Sequence, residues 1–323
     1  MELDVIKIII TGASGFVGKN LVQYLGEKKV EVIPMSLRDH NLGEKKVEVI
    51  PMSLRDHSWQ LDSSGVDAII HLAGKAHDTQ NTSSSKDYFE INTELTKRLF
   101  NQFLTSDIQD FFFFSSVKAV ADTVEDVLEE KQDPQPYTPY GKSKLLAEEY
   151  LLAKELPEGK RVFIIRPCMI HGEGNKGNLN LLYKIVEKGV PWFLASFENQ
   201  RSFLSIDNLN FVIFELLKNK EIPSGIYNVS DDESLSTNAL ISIISNTLGK
   251  KPKLWYWSTS VIFKIAKIGD AMKLPLNTER LKKLTESYVV SNQKIKSALG
   301  IEKLPYTAEE GLVKTLKSFH NKK

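Results

Sequence analysis

Cysteine is almost absent from this sequence, and its charges nearly cancel. The one cysteine, Cys168, excludes an internal disulfide and any cluster of cysteine ligands around a metal, which fits a reducing cytoplasm. His71, His77 and His171 show no ligand spacing, so no metal site is expected. Lysine and arginine total 42 against 41 acidic residues, a net charge of +1. This balance provides no bulk field for nucleic acid or for an acidic partner.

Long hydrophobic runs are also missing. No apolar run approaches the roughly 18 residues of a membrane span, and residues 1–4 are too acidic for a signal peptide. We therefore expect a cytoplasmic protein without a membrane span. Residues 255–272 are apolar, with lysines at Lys264 and Lys267 and another at Lys273. This pattern fits either a helix of a substrate-binding lobe, the favoured interpretation, or a helix on a membrane surface.

A glycine-rich turn follows the first hydrophobic run. Residues 5–10 read VIKIII, typical of a buried parallel strand, and lead directly into TGASGFVG at 11–18 and an amphipathic stretch. Gly12 permits the tight turn, Gly15 lets a pyrophosphate approach the helix N-terminus, and Gly18 allows close packing of helix on strand. Strand, glycine turn and helix together predict dinucleotide binding.

The region 25–58 contains a tandem duplication with a period of 17. The sixteen residues LGEKKVEVIPMSLRDH occur at 25–40 and again at 42–57. A perfect pair indicates a recent duplication or an assembly artefact rather than a solenoid. Either copy supplies a second strand, and we favour the first, leaving the spare copy as a third strand or a surface insert. After that strand comes Arg38, where dinucleotide folds usually carry an acid for the ribose 2′-hydroxyl, so NADP(H) is favoured over NAD.

Strands and helices alternate in the rest of the first half. AIIHLAG at 68–74 and FFFF at 111–114 read as buried strands, and RVFIIR at 161–166 as another. A helix over 86–104 carries Asn92, and the FFFF strand leads into Ser115 and Ser116. The alternation predicts an α/β fold with a Rossmann-like doubly wound parallel sheet, in which ligands bind at the carboxyl ends of the strands.

Tyr140 and Lys144 are four residues apart in PYGKSK and share one helix face. A phenol has a pKa near ~10, so proton transfer at neutral pH needs roughly three units of depression, about 4 kcal/mol. We expect the ammonium one turn away to supply part of it. A lone tyrosine and lysine at this spacing is common by chance, but here it accompanies the glycine turn.

Taken together, TGASGFVG, HLAG, the Ser-Ser strand end and PYGKSK resemble the extended short-chain dehydrogenases/reductases, the NAD(P)-dependent epimerase/dehydratase family acting on nucleotide sugars. The resemblance covers nearly the whole chain. Residues 174–179, 199–203 and 206–209 look like the branch of UDP-N-acetyl-hexosamine 4-epimerases and 4-keto-hexosamine reductases. The resemblance implies an NAD(P)-binding Rossmann domain over 1–167, a strand returning near 225–230, and a smaller, mainly substrate-binding C-terminal lobe over 168–323.

The resemblance also implies roles for individual residues. Ser116 would hydrogen-bond the reacting sugar oxygen, Tyr140 would exchange its proton, and Lys144 would bind the nicotinamide ribose, while hydride moves at C4 of a UDP-hexose. The matching cofactor positions are Gly12, Ser14, Gly15, Phe16, Val17, Gly18, Arg38, Leu72, Ala73, Gly74, Asn92 and Pro167. The matching UDP-sugar positions are Asn178, Arg201 and Arg280, and arginine forks suit a diphosphate.

One departure from the family pattern narrows the reaction. Where 4,6-dehydratases carry an Asp-Glu pair, this chain has Val117-Lys118, so dehydration is disfavoured. The remaining activities are 4-epimerase and 4-keto reductase. A catalytically silent dinucleotide-binding regulator or scaffold is the competing interpretation. The sequence leaves open the sugar and the oligomeric state, for which a homodimer is one option.

Overall fold

The computed structural model describes residues 6–36, 50–51, 60–75, 84–175, 177–272 and 276–320. The strands are β1 (Lys7–Thr11), β2 (Glu31–Ser36), β3 (Ile50–Pro51), β4 (Ala68–His71), β5 (Asp110–Phe114), β6 (Val127–Leu128), β7 (Arg161–Pro167), β8 (Met169–His171), β9 (Arg201–Ser205), β10 (Gly225–Val229), β11 (Ser234–Leu235) and β12 (Val289–Val290). The helices are α1 (Phe16–Glu27), α2 (Ser85–Tyr88), α3 (Leu95–Thr105), α4 (Pro139–Leu152), α5 (Asn178–Glu187), α6 (Ile206–Lys218), α7 (Thr237–Thr247), α8 (Thr259–Met272), α9 (Thr278–Thr285), α10 (Gln293–Leu299) and α11 (Ala308–His320). A π-helical segment, Phe89–Glu94, joins α2 to α3, and a 3₁₀ turn spans Val117–Ala119.

A seven-stranded parallel sheet in the order β10-β7-β5-β4-β1-β2-β3 forms the centre of the larger lobe. Its inner strands are buried on both faces: Ile8 and Ile10 pack on the side of α1 and α6, while Ile9 packs on the side of α3 and α4. Two-sided burial explains why these strands are continuous hydrophobic runs without polar alternation. The chain returns after β9 and α6 to add β10 beside β7.

The first copy of the duplication supplies the end of α1 and all of β2. From the second copy, Ile50–Pro51 forms the edge strand β3, which pairs in parallel with Met35 and Ser36. The duplicated chain thus widens the sheet by a two-residue edge. Arg38 and its twin Arg55 lie outside the described residues.

The smaller lobe has its own core. It contains the three-stranded sheet β11-β9-β8 and a hydrophobic cluster to which α5, α7, α8, α9 and α11 contribute. Strand β12 pairs in parallel with β6, which lies in the connection between β5 and α4. This pairing joins the end of the smaller lobe to the larger one.

Two features are absent from the part of the chain that the structure describes. None of the helices in that part of the chain combines the length and hydrophobicity of a membrane span. Within the same residues, no group of three or more histidine, cysteine, aspartate or glutamate side chains is arranged to hold a metal ion.

Candidate functional site

The glycine turn between β1 and α1 is a tightly packed backbone structure. Gly12 has φ +71°, and a Cβ there would lie 2.7 Å from the backbone nitrogen of Ala73. A Cβ at Gly18 would lie 2.4 Å from the carbonyl oxygen of Gly12, so the helix can approach the turn only without a side chain. Gly15 is the exposed N-cap of α1, and no side chain caps the helix there. Its uncapped N-terminus therefore offers backbone N–H groups to an anion.

Other predicted cofactor positions lie beside this turn or further along the same edge of the sheet. Ala73 donates its backbone N–H to the Thr11 hydroxyl at 3.1 Å, and that hydroxyl is 2.6 Å from Nδ1 of His71. Burial lowers the pKa of His71 to about 3, so this imidazole is neutral and holds strand ends together. Leu72, between His71 and Ala73 in the chain, is half-buried. Ser14 in the glycine turn and Val17 in the first turn of α1 are also half-buried, and Pro167 is buried at the end of β7.

The start of α1 also contacts the segment that leads to α5. A Cβ at Gly172 would lie 3.4 Å from the ring of Phe16, and the Asn20 side-chain amide donates to the Glu173 carbonyl at 3.2 Å. Asn178, predicted to contact the sugar nucleotide, is the exposed first residue of α5. The backbone at Gly172 and Glu173, which precedes Asn178, therefore lies beside the start of α1 and the glycine turn.

Helix α4 begins where its sequence predicts. Pro139 occupies the first turn, and the Thr138 hydroxyl caps the helix by accepting the Gly141 N–H at 3.2 Å. This start places Tyr140 in the first turn, half-buried, with its ring edge-on to Tyr88 at 6.1 Å between centroids. The side chain of Ser116, which follows β5, is hydrogen-bonded to Tyr140. Two of the three predicted catalytic groups are thus in direct contact.

The pKa of Tyr140 is raised, whereas the sequence analysis expected Lys144 to lower it. Burial raises the pKa of this phenol, the hydrogen bond from Ser116 opposes the rise, and Tyr88 adds to it. The penalty for placing a phenolate in a poorly solvated site outweighs the favourable contact. Tyr140 is therefore a protonated phenol at neutral pH in this structure.

Lys144 lies buried one turn further along α4. Its Nζ donates to the carbonyl oxygen of Phe114 at 2.7 Å and lies 4.8 Å from the centre of the Phe113 ring. Burial lowers its pKa to about 8, and Glu148 opposes this shift. A Cβ at Gly74 would lie 3.2 Å from Nζ, so the ammonium borders the exposed backbone after β4.

Asn92 connects this exposed backbone to α4. Its Oδ1 accepts the Lys75 N–H at 2.7 Å, and its Nδ2 donates to the Lys75 carbonyl at 3.1 Å and to Ser143 Oγ at 3.0 Å. Thr93 also donates to the Ser143 carbonyl at 2.8 Å. Both residues belong to the π-helical segment, a feature that is frequent at functional sites. Asn92 therefore orders the Gly74 loop against α4.

A buried polar network beneath the site was missed by the sequence analysis. Ser115 donates to Oε1 of Glu148, and Arg166 Nε lies 3.0 Å from the same oxygen. The side chains of Glu148 and Arg166 are 1% and 2% exposed, so this is a desolvated ion pair. The available signal was the spacing of Tyr140, Lys144 and Glu148, which places all three on one helix face.

The predicted sugar-nucleotide arginines differ in their surroundings. Arg201 donates from Nε to the Glu286 carbonyl at 3.1 Å and from Nη2 to the Lys283 carbonyl. Burial lowers its pKa from the usual value, with Glu286 opposing. Arg201 also lies close enough to Lys118 to help lower the pKa of that lysine, which burial lowers most. Arg280 is exposed on α9.

Comparison with known proteins identifies what this chain resembles. The family model described as "NAD dependent epimerase/dehydratase family" matches residues 8–230. The UDP-glucose 4-epimerase of Vibrio cholerae is 29% identical over 318 residues, covering 97% of this chain and 95% of that protein. The N-acetyl-alpha-D-glucosaminyl-diphospho-ditrans,octacis-undecaprenol 4-epimerase of Escherichia coli O157:H7 is 27% identical, covering 96% and 94%.

Solved structures share the fold. MoeE5 in complex with UDP-glucuronic acid and NAD superposes with a TM-score of 0.74 at 19% identity, covering 98% of this chain and 100% of that one. The UDP-N-acetylglucosamine 4-epimerase from Bacillus cereus superposes with a TM-score of 0.74 at 20% identity, covering 98% and 99%. The predicted α/β class with a doubly wound parallel sheet is confirmed, as is the resemblance to a family of nucleotide-sugar enzymes.

Proposed function

The chain belongs to the NAD dependent epimerase/dehydratase family, and from that premise we propose that it is a nucleotide-sugar oxidoreductase that transfers hydride at C4 of a UDP-hexose. The observation that carries this proposal is the convergence of Ser116, Tyr140 and Lys144 beside the glycine turn at one edge of the sheet. The two activities that fit are 4-epimerase and 4-keto reductase.

The backbone around the turn fits a nicotinamide dinucleotide. No side chain would fit at Gly12 or Gly18, where the backbone is closely packed. Gly15 is exposed and leaves the N-terminus of α1 open to a pyrophosphate. The Lys144 ammonium and the exposed backbone of Gly74 lie on the side where a ribose would be held. When bound, NAD(P) supplies the hydride acceptor or donor at the sugar carbon.

The protein's own groups would handle the proton. The Tyr140 phenol would give its proton to a 4-keto oxygen in the reducing direction and take one from the C4 hydroxyl in the oxidising direction. Ser116, already hydrogen-bonded to Tyr140, would hold the same oxygen. The raised pKa of Tyr140 supplies the protonated form that reduction requires. In the oxidising direction Tyr140 would act as phenolate, the form that its hydrogen bond with Ser116 favours.

We propose that the smaller lobe, mainly residues 168–323, binds the sugar nucleotide. Arg201 and Lys118 place two cations at the junction of the lobes, beside the segment that carries Ser116, where a diphosphate would be bound. Lys118 stands where a dehydratase carries an acid, and its Nζ donates to the Asp122 carbonyl at 2.7 Å. The absence of a carboxylic acid pair at Val117 and Lys118 supports redox chemistry at C4 over elimination of water.

Three finer points stay predictions. The preference for NADP(H) depends on Arg38 or Arg55. The cytoplasmic location is inferred from the composition. Neither the sequence nor the fold supplies an argument for the homodimer. Measuring the Kd of NADPH and NADH side by side tests the first.

Incubation with a panel of UDP-hexoses and both nicotinamides, followed by NMR of the products, tests the reaction. We expect inversion at C4 or reduction of a 4-keto sugar. Dinucleotide binding without turnover on any sugar would favour the competing scaffold interpretation.

Tyr140→Phe is the matched variant for this test. It removes one oxygen and keeps the ring against Tyr88, so the fold and dinucleotide Kd should be unchanged. Turnover should fall by roughly 10²- to 10⁴-fold, the usual cost of losing a positioned acid–base group. More than about a tenth of wild-type turnover would contradict the assignment.

A further inference from the structure

The region that includes α8 concentrates the exposed hydrophobic surface of the molecule. Seventeen large hydrophobic side chains are exposed across the described residues, and eight of them lie in an eighteen-residue stretch. Single exposed apolar residues are normal on a soluble protein, whereas a contiguous group marks an interaction surface. The eight are Trp255, Tyr256, Trp257, Val261, Phe263, Ile265, Ile268 and Met272.

Helix α8 is held to the smaller lobe by a narrow contact. Its buried residues are Ile262, Ala266 and Gly269, and the backbone of Leu276 lies directly against Gly269. A second stripe beside this contact is apolar but exposed, with spacings of four, three and four residues that place it on one side of the helix. Its members are Val261, Ile265, Ile268 and Met272.

The segment before α8 adds aromatic surface. Trp255 and Trp257 stack with ring centroids 6.4 Å apart, and Trp257 contacts Phe193 at 5.6 Å. Both tryptophans are exposed to solvent, as is Tyr256 between them. Tryptophan and tyrosine combine an apolar ring with one polar atom, which suits them to the boundary between lipid and water.

The same stretch is strongly basic. Residues 250–272 contain five lysines and one acid, Asp270, a local charge of +4 in a chain whose total is +1. Lys264 and Lys267 lie beyond the exposed stripe on the solvent side of α8, both exposed. The other three border a cavity of about 380 Å³ with apolar walls formed by Val186, Val190 and Ile241. These three are Lys250, Lys251 and Lys253.

We infer that residues 250–272 form a docking surface for the headgroup region of an anionic lipid bilayer. An apolar stripe, interfacial tryptophans and flanking lysines are the features by which a helix lies in a membrane surface without crossing it. The basic cavity would take lipid phosphates, with acyl chains against its apolar walls. A second copy of the chain is a poor occupant, because a two-fold contact would bring two +4 surfaces together.

Docking would orient the smaller lobe relative to the bilayer. Helix α9, which carries Arg280, follows α8 in the smaller lobe and packs against it. Docking would therefore hold the proposed sugar-nucleotide side of the molecule close to the bilayer. Binding of this surface to lipid does not depend on the reaction proposed above.

Vesicle flotation of the full-length protein tests the surface. We expect binding to phosphatidylcholine vesicles containing about 30% phosphatidylglycerol, much weaker binding to pure phosphatidylcholine, and weakening with added salt. Lys264→Glu with Lys267→Glu should lower the partition coefficient by about 25-fold or more, since each lysine near an anionic surface contributes about 1 kcal/mol. Ile265→Glu with Ile268→Glu should lower it by at least about tenfold.

Matched variants separate this surface from general charge and hydrophobicity. Lys154→Glu with Lys303→Glu and, separately, Leu152→Glu alter exposed residues elsewhere and should leave flotation within about twofold. Circular dichroism and dinucleotide binding verify folding of each variant. Equal binding to neutral and anionic vesicles, or none to either, would overturn the inference. So would sedimentation data in which Ile265→Glu with Ile268→Glu converts a dimer to monomers while the wild type ignores vesicles.

Discussion

At the scale of single residues, burial shifts the two central titrating groups toward their neutral forms. The pKa of Tyr140 rises and that of Lys144 falls to about 8, because burial removes water from the charged form of each group. Below about pH 8 the site therefore holds a protonated phenol and a protonated ammonium. This is the state in which Lys144 can attract a ribose oxygen and Tyr140 can donate a proton.

Dinucleotide affinity should fall as pH rises through about 8, because Lys144 loses its proton there, whereas a lysine with the ordinary pKa of 10.5 would keep it. Loss of a charge-assisted hydrogen bond corresponds to about 1.5–3 kcal/mol, or roughly 10- to 100-fold in Kd. Calorimetric titration between pH 6.5 and 9.5 measures it. Lys144→Met should bind weakly with a flat profile, whereas Lys142→Met, an exposed lysine on the same helix, should follow the wild type. A flat wild-type profile would contradict the assignment.

At the scale of elements, α4 is fixed to the sheet by an ion pair as well as by apolar packing. Arg166 on β7 bonds both carboxylate oxygens of Glu148, at 3.0 and 3.1 Å from Nε, and Ser115 after β5 bonds the first oxygen. The network lies one turn beyond Lys144. Through it, the ends of two strands determine where the face of α4 that carries Tyr140 and Lys144 lies.

Glu148→Gln should destabilise the fold by about 3–5 kcal/mol, because it leaves the Arg166 charge buried without its counter-ion. Combining it with Arg166→Met should recover most of the loss, since the unpaired charge is then gone. Urea unfolding measures both, and Glu149→Gln on the exposed face of α4 is the control. A double variant as unstable as the single one would argue against a charge-pair role.

Deleting residues 25–41 tests whether the duplication is passive. The deletion leaves one complete copy, which can rebuild the end of α1 and β2 with unchanged residues. Among the described residues the deletion removes the two-residue edge strand β3, and the shorter connection costs less loop entropy. The melting temperature should therefore rise or stay constant in calorimetry. A markedly lower value would show that the spare copy stabilises the sheet.

The elements that could be predicted are those whose signal is local. The glycine turn, the FFFF strand and the capped start of α4 each depend on neighbouring residues, so periodicity and composition suffice. The bond between Glu148 and Arg166 could not be predicted in this way. A glutamate in a helix and an arginine in a strand are usually solvated, and their burial follows only from how β5, β7 and α4 pack. The direction of the Tyr140 shift likewise depends on burial, which the spacing of two residues does not give.

At the scale of the whole molecule, Tyr288 links the smaller lobe to the segment that follows Ser116. Its hydroxyl donates to the Ala121 carbonyl at 2.8 Å and lies 3.2 Å from the Val117 carbonyl. Burial raises its pKa well above the usual value, so the hydroxyl keeps its proton. The Lys118 ammonium sits 4.2 Å from the centre of its ring. One side chain thus links residues that are more than 160 positions apart.

Tyr288→Phe should raise KM for the sugar nucleotide severalfold and leave dinucleotide Kd unchanged. The lost hydrogen bond is worth about 1–2 kcal/mol and loosens the segment after Ser116, which lies on the sugar side of the site. Initial-rate kinetics with separately measured dinucleotide binding gives both values. Tyr150→Phe, which removes a hydroxyl bound to Asn101 on the surface, is the control. Equal loss of dinucleotide affinity would contradict a role confined to the sugar side.

The π-helical segment over Phe89–Glu94 also bears on how this helix arose. A π turn carries one residue more than an α turn, which is the geometry left when a single residue is inserted into an existing helix. The residues after it keep their faces, and the extra length is absorbed where Asn92 and Thr93 both reach Ser143. Removing one residue before Asn92 would restore a regular helix and turn its amide away from Lys75 by about 100°. A change of length in this helix would therefore move Asn92 away from the Gly74 loop.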